Sequence, residues 1–235
     1  MPTSTVEDYL KHILLQEQTH FGQRVSTGTI AAALAVAPAT VTAMIKTLDR
    51  SGLLSYEPYS GVSLTASGRQ LALHVLRRHR LVELFLVRVM GIDWAEVHAE
   101  AELLEHAVSD QLIQRMDEML GYPEVDPHGD PIPTAMGDVR EQNWLSLLTC
   151  PVGEAVEVAR VGDQAVEFLQ LIEREGLMPG HRLTIIERNE AADRIKLARE
   201  GREDFSLGFR AASKIFVCQS TVAPLTAETS EHEQE

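Results

Sequence analysis

Residues 26–64, STGTIAAALAVAPATVTAMIKTLDRSGLLSYEPYSGVSL, carry two short helical patterns joined by a tight turn and followed by a hairpin signal. Ser26 stands where an N-cap is needed ahead of the first pattern, its hydroxyl able to accept an otherwise unpaired backbone N–H. The second pattern has Pro38 in its first turn, where a missing N–H costs nothing, and Gly52 just past its end. Val41, Ile45 and Leu48 repeat at helical spacing and define its core face. From Leu53 onward apolar and polar residues alternate about Tyr59, Ser60 and Gly61, which marks two strands and their connection.

Two helices and then a hairpin form a winged helix-turn-helix, assigned to residues 1–72. The preceding helix, TSTVEDYLKHILLQEQ (3–18), starts at Ser4 or Thr5 and puts Val6, Tyr9, Leu10, Ile13 and Leu14 on one face. Residues 73–140 read as helical: a long helix ending at Gly91, a second capped by Asp93, and a third between Ser109 and Gly121. YPEVDPHGDPIPT (122–134) holds four prolines and reads as an extended connector. A linker over 141–151 leads to 152–220. There GEAVEVARV, HRLTIIERN, RIKLARE, EDFSLGF and SKIFVCQS read as strands of a small β-barrel, and only QAVEFLQLIEREG as helix. Residues 221–235 are polar and acidic and read as a disordered tail. The expected fold is mainly α with β: a winged helix-turn-helix, a helical domain and a small β-barrel.

With 44% hydrophobic and 24% charged residues among 235, the chain is expected to be globular and soluble. MPTSTVEDYL lacks a basic region followed by an apolar core, so no signal peptide is expected. The most apolar stretch, LVELFLVRVMG (81–91), is short and interrupted by Glu83 and Arg88, so no membrane partner is expected either. Cys150 and Cys218 have neither metal nor disulfide spacing, which fits a cytoplasmic protein. The net charge of −14 argues against nucleic acid when taken whole, yet residues 1–80 carry +3 and residues 81–235 carry −17. A mildly basic N-terminal third is the end suited to face DNA.

VHAEAELLEH (97–106) poses a different question. At about 100° per residue, His98, Glu102, Glu105 and His106 fall within an arc of roughly 100° on one helix face. Two imidazoles and two carboxylates aimed together are either a solvated stripe or metal ligands, and spacing alone leaves both open.

The order of winged helix, long helix with RRHRLVELFL, helix with VHAEAELLEH, and then HGDPIPT resembles the DtxR/MntR family of metal-dependent transcriptional repressors. EGLMPGHRLTIIER (175–188) looks like the FeoA/SH3-like domain of its longer members, so the resemblance runs from about Ser4 to Cys218. It implies a primary metal site of Asp8 from EDYL with Glu102, Glu105 and His106 from ELLEH. It also implies an ancillary site of His79 and Glu83 from RHRLVE with His98, to which Asp163, Gln164 or Glu167 of the third domain would add. Iron-type members place Met and Cys where this chain has Asp8 and Glu102. Hard carboxylates there favour Mn²⁺, with Fe²⁺ as the alternative. Manganese-type members often carry a second acid one turn after the first-helix Asp. Lys11 stands there instead, which argues for separate primary and ancillary sites over a close ion pair.

The resemblance further implies a homodimer, with Leu84, Phe85, Val87 and Leu103 at its interface, bound to a palindromic operator in double-stranded DNA. Ala37, Ala39, Thr40, Thr42 and Ala43 would face the base edges. Ala43 has no hydrogen-bonding side chain, so readout would rest on thymine methyls and DNA shape. Thr40, Thr42, Lys46, Arg50, Tyr59 and Ser60 would hold phosphates, while Arg77, Arg78 and Arg80 are either further phosphate contacts or a solvated run. The expected function is repression of metal-uptake genes with Mn²⁺ as corepressor. Acidic side chains brought together without a cation repel, so the metal-free hinge should be loose. No nucleophile motif accompanies the ligands, and an enzyme is not expected. The rival readings are an iron-responsive regulator, a metal-dependent hydrolase and a metal-independent winged-helix regulator.

Overall fold

The computed structural model describes residues 3–19, 23–140, 142–199 and 201–219, so the expected tail lies outside the described residues. The described residues fall into two compact units: those up to 91 with 98–124 and 131–140, and 92–97 with 125–130 and those from 142 to 219.

In the first unit, α1 (Ser4–Thr19) lays Tyr9, Leu10, Ile13 and Leu14 into a core shared with Ile30, Val41, Ile45, Leu48, Leu54 and Val62, while Val6 packs at its margin. α2 (Thr27–Ala33) is capped by Ser26, whose Oγ accepts the Thr29 N–H at 3.0 Å. α3 (Pro38–Arg50) follows after a turn of 113° between the helix axes, within the range of a helix-turn-helix. β1 (Leu54–Glu57) and β2 (Gly61–Leu64) pair antiparallel, and Val62 also exchanges hydrogen bonds with Val25 at 2.8 and 2.9 Å. Gly61 has φ +110°, and a Cβ there would stand 2.4 Å from the Val25 carbonyl oxygen, so this crossing requires glycine. The hairpin is fixed to the end of α3 by the Tyr56 N–H, which donates to Asp49 Oδ1 at 3.0 Å.

α4 (Ala66–Arg88) starts at its Thr65 cap, so one continuous helix runs through residue 72. The three arginines on it are not a solvated run but are engaged within the chain. Arg77 donates to the Pro133 carbonyl at 2.7 Å and to Asp117 at 2.6 Å, Arg78 to Asp110 at 2.5 Å, and Arg80 to the Pro131 carbonyl. Arg78 and Arg80 are buried. These bonds tie α4 to α6 (Asp110–Met119, capped by Ser109) and to the segment after it.

α5 spans only Val97–Leu104. It starts later than an Asp93 cap would place it, because Asp93 closes a preceding turn by accepting the Ala95 N–H at 2.8 Å. Glu105 and His106 therefore lie just past the helix.

In the second unit the proline-rich connector is folded rather than extended over 126–130. Asp126 Oδ1 accepts the N–H groups of His128 and Asp130 at 2.8 and 2.9 Å. His128 is buried against Trp94, with Nε2 2.8 Å from the Trp94 carbonyl oxygen. β3 (Leu145–Ser146), β4 (Ala155–Val161), β5 (Arg182–Asn189), β6 (Arg194–Arg199), β7 (Arg202–Gly208) and β8 (Ile215–Gln219) form one antiparallel sheet in the order β3-β8-β4-β5-β6-β7. Register shifts at Val158/Arg160, Ile185/Glu187 and Leu197/Arg199 mark bulges that bend it. Among the described residues nothing pairs β7 with β3, so the sheet is not a closed barrel. α7 (Val166–Arg174) lies in QAVEFLQLIEREG as the periodicity predicts, burying Leu169 and Ile172, and a short α8 (Phe209–Ala212) precedes β8. Both cysteines are free. Among the described residues no single helix is long and apolar enough to cross a membrane.

Candidate metal centre

α1, α4 and α5 converge so that all seven expected ligands of the first unit meet in one connected cluster. On α4, His79 and Glu83 are one turn apart, with His79 Nε2 2.9 Å from Glu83 Oε1. His98 of α5 joins them, its Nδ1 3.0 Å from Glu83 Oε1 and 3.1 Å from His79 Nε2. On the other side, His106 Nε2 stands 2.8 Å from Asp8 Oδ1 of α1 and 3.3 Å from Glu105 Oε1. Between these groups, His79 Nδ1 faces Glu105 Oε2 at 2.5 Å and Glu102 Oε1 at 3.7 Å.

The cluster thus offers three overlapping sets of ligand atoms, each within 4.8 Å: His79–Glu83–His98, Asp8–Glu105–His106 and His79–Glu102–Glu105. Carboxylate oxygens and imidazole nitrogens without sulfur are a donor set suited to Mn²⁺ or Fe²⁺. The residues present fit a divalent ion.

The carboxylates are not left uncompensated, as simple repulsion among them would require. Lys11 of α1 is 1% exposed, and its ammonium donates to Glu102 Oε1 at 2.8 Å and Glu105 Oε1 at 2.6 Å. Burial works against ionisation of Glu102, but the Lys11 charge and hydrogen bond outweigh it and hold this carboxyl below the usual range. Burial would likewise pull the His79 imidazole down. Its bonds to Glu105 and Glu83 prevail and push it up to about 9. His106 is raised in the same sense, desolvation being outweighed by its bonds to Glu7 and Asp8. The cluster is held closed by protons and one lysine.

Two participants were not among the expected ligands. Glu7, nearly buried, lies 2.6 Å from His106 Nδ1 and orients the ring so that Nε2 faces Asp8. Lys11 is the second. Their shared signal is charge on the inward stripe of α1, where Glu7 and Lys11 sit one turn apart beside Leu10 and Leu14.

The three weaker candidates belong to the second unit. Within it, Asp163 pairs with Lys214, which depresses its carboxyl, and Gln164 donates to Asp130 Oδ2 at 3.2 Å. Glu167 is exposed on α7.

On the expected DNA face, Ala37, Ala39, Thr40, Ala43, Lys46 and Arg50 of the α3 region are exposed. Val41, Ile45 and Leu48 are buried, as their spacing predicts. Thr42 is half-buried, and its hydroxyl donates to the Pro38 carbonyl at 2.9 Å, which turns it back onto its own helix. Arg50 Nε similarly donates to the Lys46 carbonyl at 3.1 Å. Tyr59 and Ser60 form the exposed hairpin tip, Tyr59 being 109% exposed with φ 67°. Of the residues expected at a dimer interface, Leu84 is buried within its own chain, Phe85 and Val87 are half-buried and Leu103 is 73% exposed.

Three family models match successive parts of the chain. They are the iron dependent repressor N-terminal DNA binding domain over residues 1–62, the iron dependent repressor metal binding and dimerisation domain over 65–134, and the FeoA domain over 145–218. The iron-dependent repressor IdeR of Mycobacterium leprae (strain TN) is 30% identical over 225 residues, covering 91% of this chain and 96% of that protein. Among solved structures, a manganese-dependent transcriptional repressor in complex with manganese is 40% identical with a TM-score of 0.82, over 92% of this chain and 100% of that one. ScaR with bound Cd²⁺ is 34% identical with a TM-score of 0.74, over 93% and 100%.

Proposed function

This chain belongs to the DtxR/MntR family of metal-dependent transcriptional repressors, and from that membership we propose that Mn²⁺ is its corepressor and metal-uptake genes are its targets. Members of this family are DNA-binding repressors with a dimerisation domain, not enzymes. The observation that carries the proposal is the 2.8 Å approach of Asp8 on α1 to His106 beyond α5. That pairing joins the DNA-binding segment to the helical one. Asp8, Glu102, Glu105 and His106 would hold the primary ion, and His79, Glu83 and His98 the ancillary one. When bound, the ion supplies positive charge that draws carboxylates from both segments together. Asp8 then holds α1, and through their shared core α3, in one position relative to α5.

Such a corepressor acts only through its preference for the DNA-competent arrangement. A coupling of about 1–3 kcal/mol would raise operator affinity roughly 5–150-fold. The oxygen ligands at Asp8 and Glu102, where iron-type members carry sulfur, support manganese. The name of the mycobacterial relative favours a second reading, in which Fe²⁺ is the activating ion. Anaerobic titration of DNA binding with each metal separates the two. Half-maximal binding at lower free Mn²⁺ than Fe²⁺ is expected; the reverse order would hand the site to iron.

Two copies related by a two-fold axis would present their α3 helices to successive major-groove faces of a palindrome. Ala37, Ala39, Thr40 and Ala43 would lie at the bases. Lys46, Arg50, Tyr59 and Ser60 would lie along the backbone, with Thr42 contributing through its methyl group because its hydroxyl is engaged. The division into functional segments follows the sequence reading: 1–72 for DNA, 73–140 for metal and dimerisation, 141–151 as linker and 152–220 as the FeoA/SH3-like part.

A further inference from the structure

In the second unit, the turn after α7 and the β6–β7 connection line a cavity of 320 Å³ with Gly176, Gly180, His181, Arg182, Arg199 and Arg202. Its volume stands at the small end of ligand-sized sites. Arg199 and Arg202 are directly opposite each other across the β6–β7 hairpin. Like charges in that position destabilise a sheet. Further along the same two strands the charges are matched, with Lys196 Nζ 3.0 Å from Asp204 Oδ2. Gly176, at φ +63°, gathers the two guanidinium groups: a Cβ there would lie 2.9 Å from Arg202 Nη1 and 3.5 Å from Arg199 Nη1.

Local structure accounts for one of these cations and not for the others. Arg199 lies 4.0 Å over the Phe205 ring and donates to the carbonyls of Glu203 and of Glu175, the C-cap of α7. A helix C-terminus attracts positive charge, and one arginine satisfies it. Arg199 Nε is nevertheless buried without a hydrogen-bond partner among the described residues. The Arg202 side chain has neither a hydrogen bond nor an ion pair among them. Arg182 has only Glu157 nearby, its Nε 3.6 Å from Oε2, which is beyond hydrogen-bond length. His181 Nδ1 donates to the Met178 carbonyl at 3.0 Å, which leaves Nε2 for another partner. By contrast, Arg24 and Arg69, which line a cavity beside the first unit's hairpin, are paired with the carboxylates of Glu57 and Glu17. Three guanidinium groups with one distant carboxylate call for an anion with more charge and more acceptor oxygens than a single carboxylate has. A phosphate group has both, and its oxygens match guanidinium forks.

We propose that this cavity is a phosphate-binding site, with Arg182 and Arg202 as its direct contacts and Arg199 adding a third positive charge. The phosphate is that of a small free anion or of a DNA backbone. The site shares no residue with the metal cluster or with α3, so its free-anion form does not depend on the function proposed above.

The test uses the full chain and two probes. Calorimetric titration of the metal-free chain with inorganic pyrophosphate reads the free-anion form. Fluorescence anisotropy of the Mn²⁺-loaded chain on a mixed-sequence DNA duplex, at several salt concentrations, reads the backbone form, since phosphate contacts carry no sequence information. Both are run on wild type, on Arg182→Gln and Arg202→Gln, whose side chains are exposed, and on Arg194→Gln, an exposed charge at the other end of β6. For a free anion, pyrophosphate affinity should fall about tenfold in each of the first two variants, the weight of one charge-assisted hydrogen bond, with duplex binding unchanged. For a DNA backbone, both variants should bind the duplex more weakly, with the salt slope reduced by about one. Arg194→Gln should match wild type in either case. Folded Arg182→Gln and Arg202→Gln variants, as judged by circular dichroism, that match wild type in both titrations would overturn the proposal, as would an equal loss in Arg194→Gln. A wild type that binds no duplex in Mn²⁺ would count against the repressor reading, and the pyrophosphate titration would then decide this proposal by itself.

Discussion

Asp8 is the one proposed primary ligand that the DNA-binding segment supplies. Asp8→Ala should abolish metal-dependent DNA binding and leave the fold intact, since the residue is only half-buried. Circular dichroism together with a fluorescence-anisotropy titration checks both halves, and unchanged metal dependence would remove Asp8 from the site. Glu7 acts one step further out. It accepts from His106 Nδ1, an outer-shell contact of the kind whose loss usually costs about 10–100-fold in metal affinity. Glu7→Gln should lower Mn²⁺ affinity within that range while Asp8 and Glu105 remain in place, as isothermal titration would measure. His79 gives the site a pH dependence. Raised in the fold from 6.5 to about 9, it stabilises the metal-free chain fully below pH 6.5, and that contribution is lost as pH rises through about 9. A metal ligand must shed its proton, so Mn²⁺ affinity should climb over the same window, with protons released on binding. Titrations in buffers of different ionisation enthalpy measure the release; none near neutral pH would contradict a protonated His79. At this scale the sequence named all seven residues that the structure gathers in the first unit, because the family pattern spaces them along α1, α4 and the α5 segment. Glu7, and the pairing of Lys11 with Glu102 and Glu105, were hidden because charge on an inward stripe reads as noise until the facing helix is known.

Whole elements show where local signals suffice and where they mislead. Caps at Ser26 and Ser109, glycine stops and the β1–β2 alternation set α2, α3, α6 and the hairpin close to their observed limits, since each is decided within a few residues. α5 was read too long because Asp93 satisfies a turn as readily as a helix start. The internal pairing of the α4 arginines was out of reach for another reason: Asp110 and Asp117, the partners of Arg78 and Arg77, lie on α6, 32 and 40 residues away. The 126–130 loop shows the same dependence on distant contacts. Gly129 has φ +87°, and a Cβ there would lie 2.0 Å from the Ala159 carbonyl oxygen of β4. Gly129→Ala should therefore detach this loop from the sheet, destabilising the chain by about 1–3 kcal/mol through backbone strain alone and more through the clash. A thermal melt of the metal-free variant provides the measurement, and an unchanged transition would mean that the loop does not pack there.

For the molecule as a whole, the basic N-terminal third and the acidic remainder carry different features. The mildly positive N-terminal third carries α3 and the exposed hairpin tip, and the acidic remainder supplies most of the proposed ligands. Exposed Val89, Met90, Leu103, Leu112 and Met119 all lie within the stretch that matches a metal binding and dimerisation domain, where burial against a second copy would remove apolar surface from water. The sheet of the second unit was legible as strands but not as an open sheet, because bulges and strand order depend on pairings among distant segments. Repression by this dimer requires that metal change the affinity for DNA, and one measurement tests that directly. Genomic fragments are captured with the purified chain in Mn²⁺, in Fe²⁺ without oxygen, or in EDTA, and the enriched DNA is sequenced. Enrichment of one palindromic sequence in Mn²⁺, lost in EDTA and weaker in Fe²⁺, is the expected result. Equal enrichment in EDTA would contradict a metal corepressor at the Asp8–Glu105–His106 cluster.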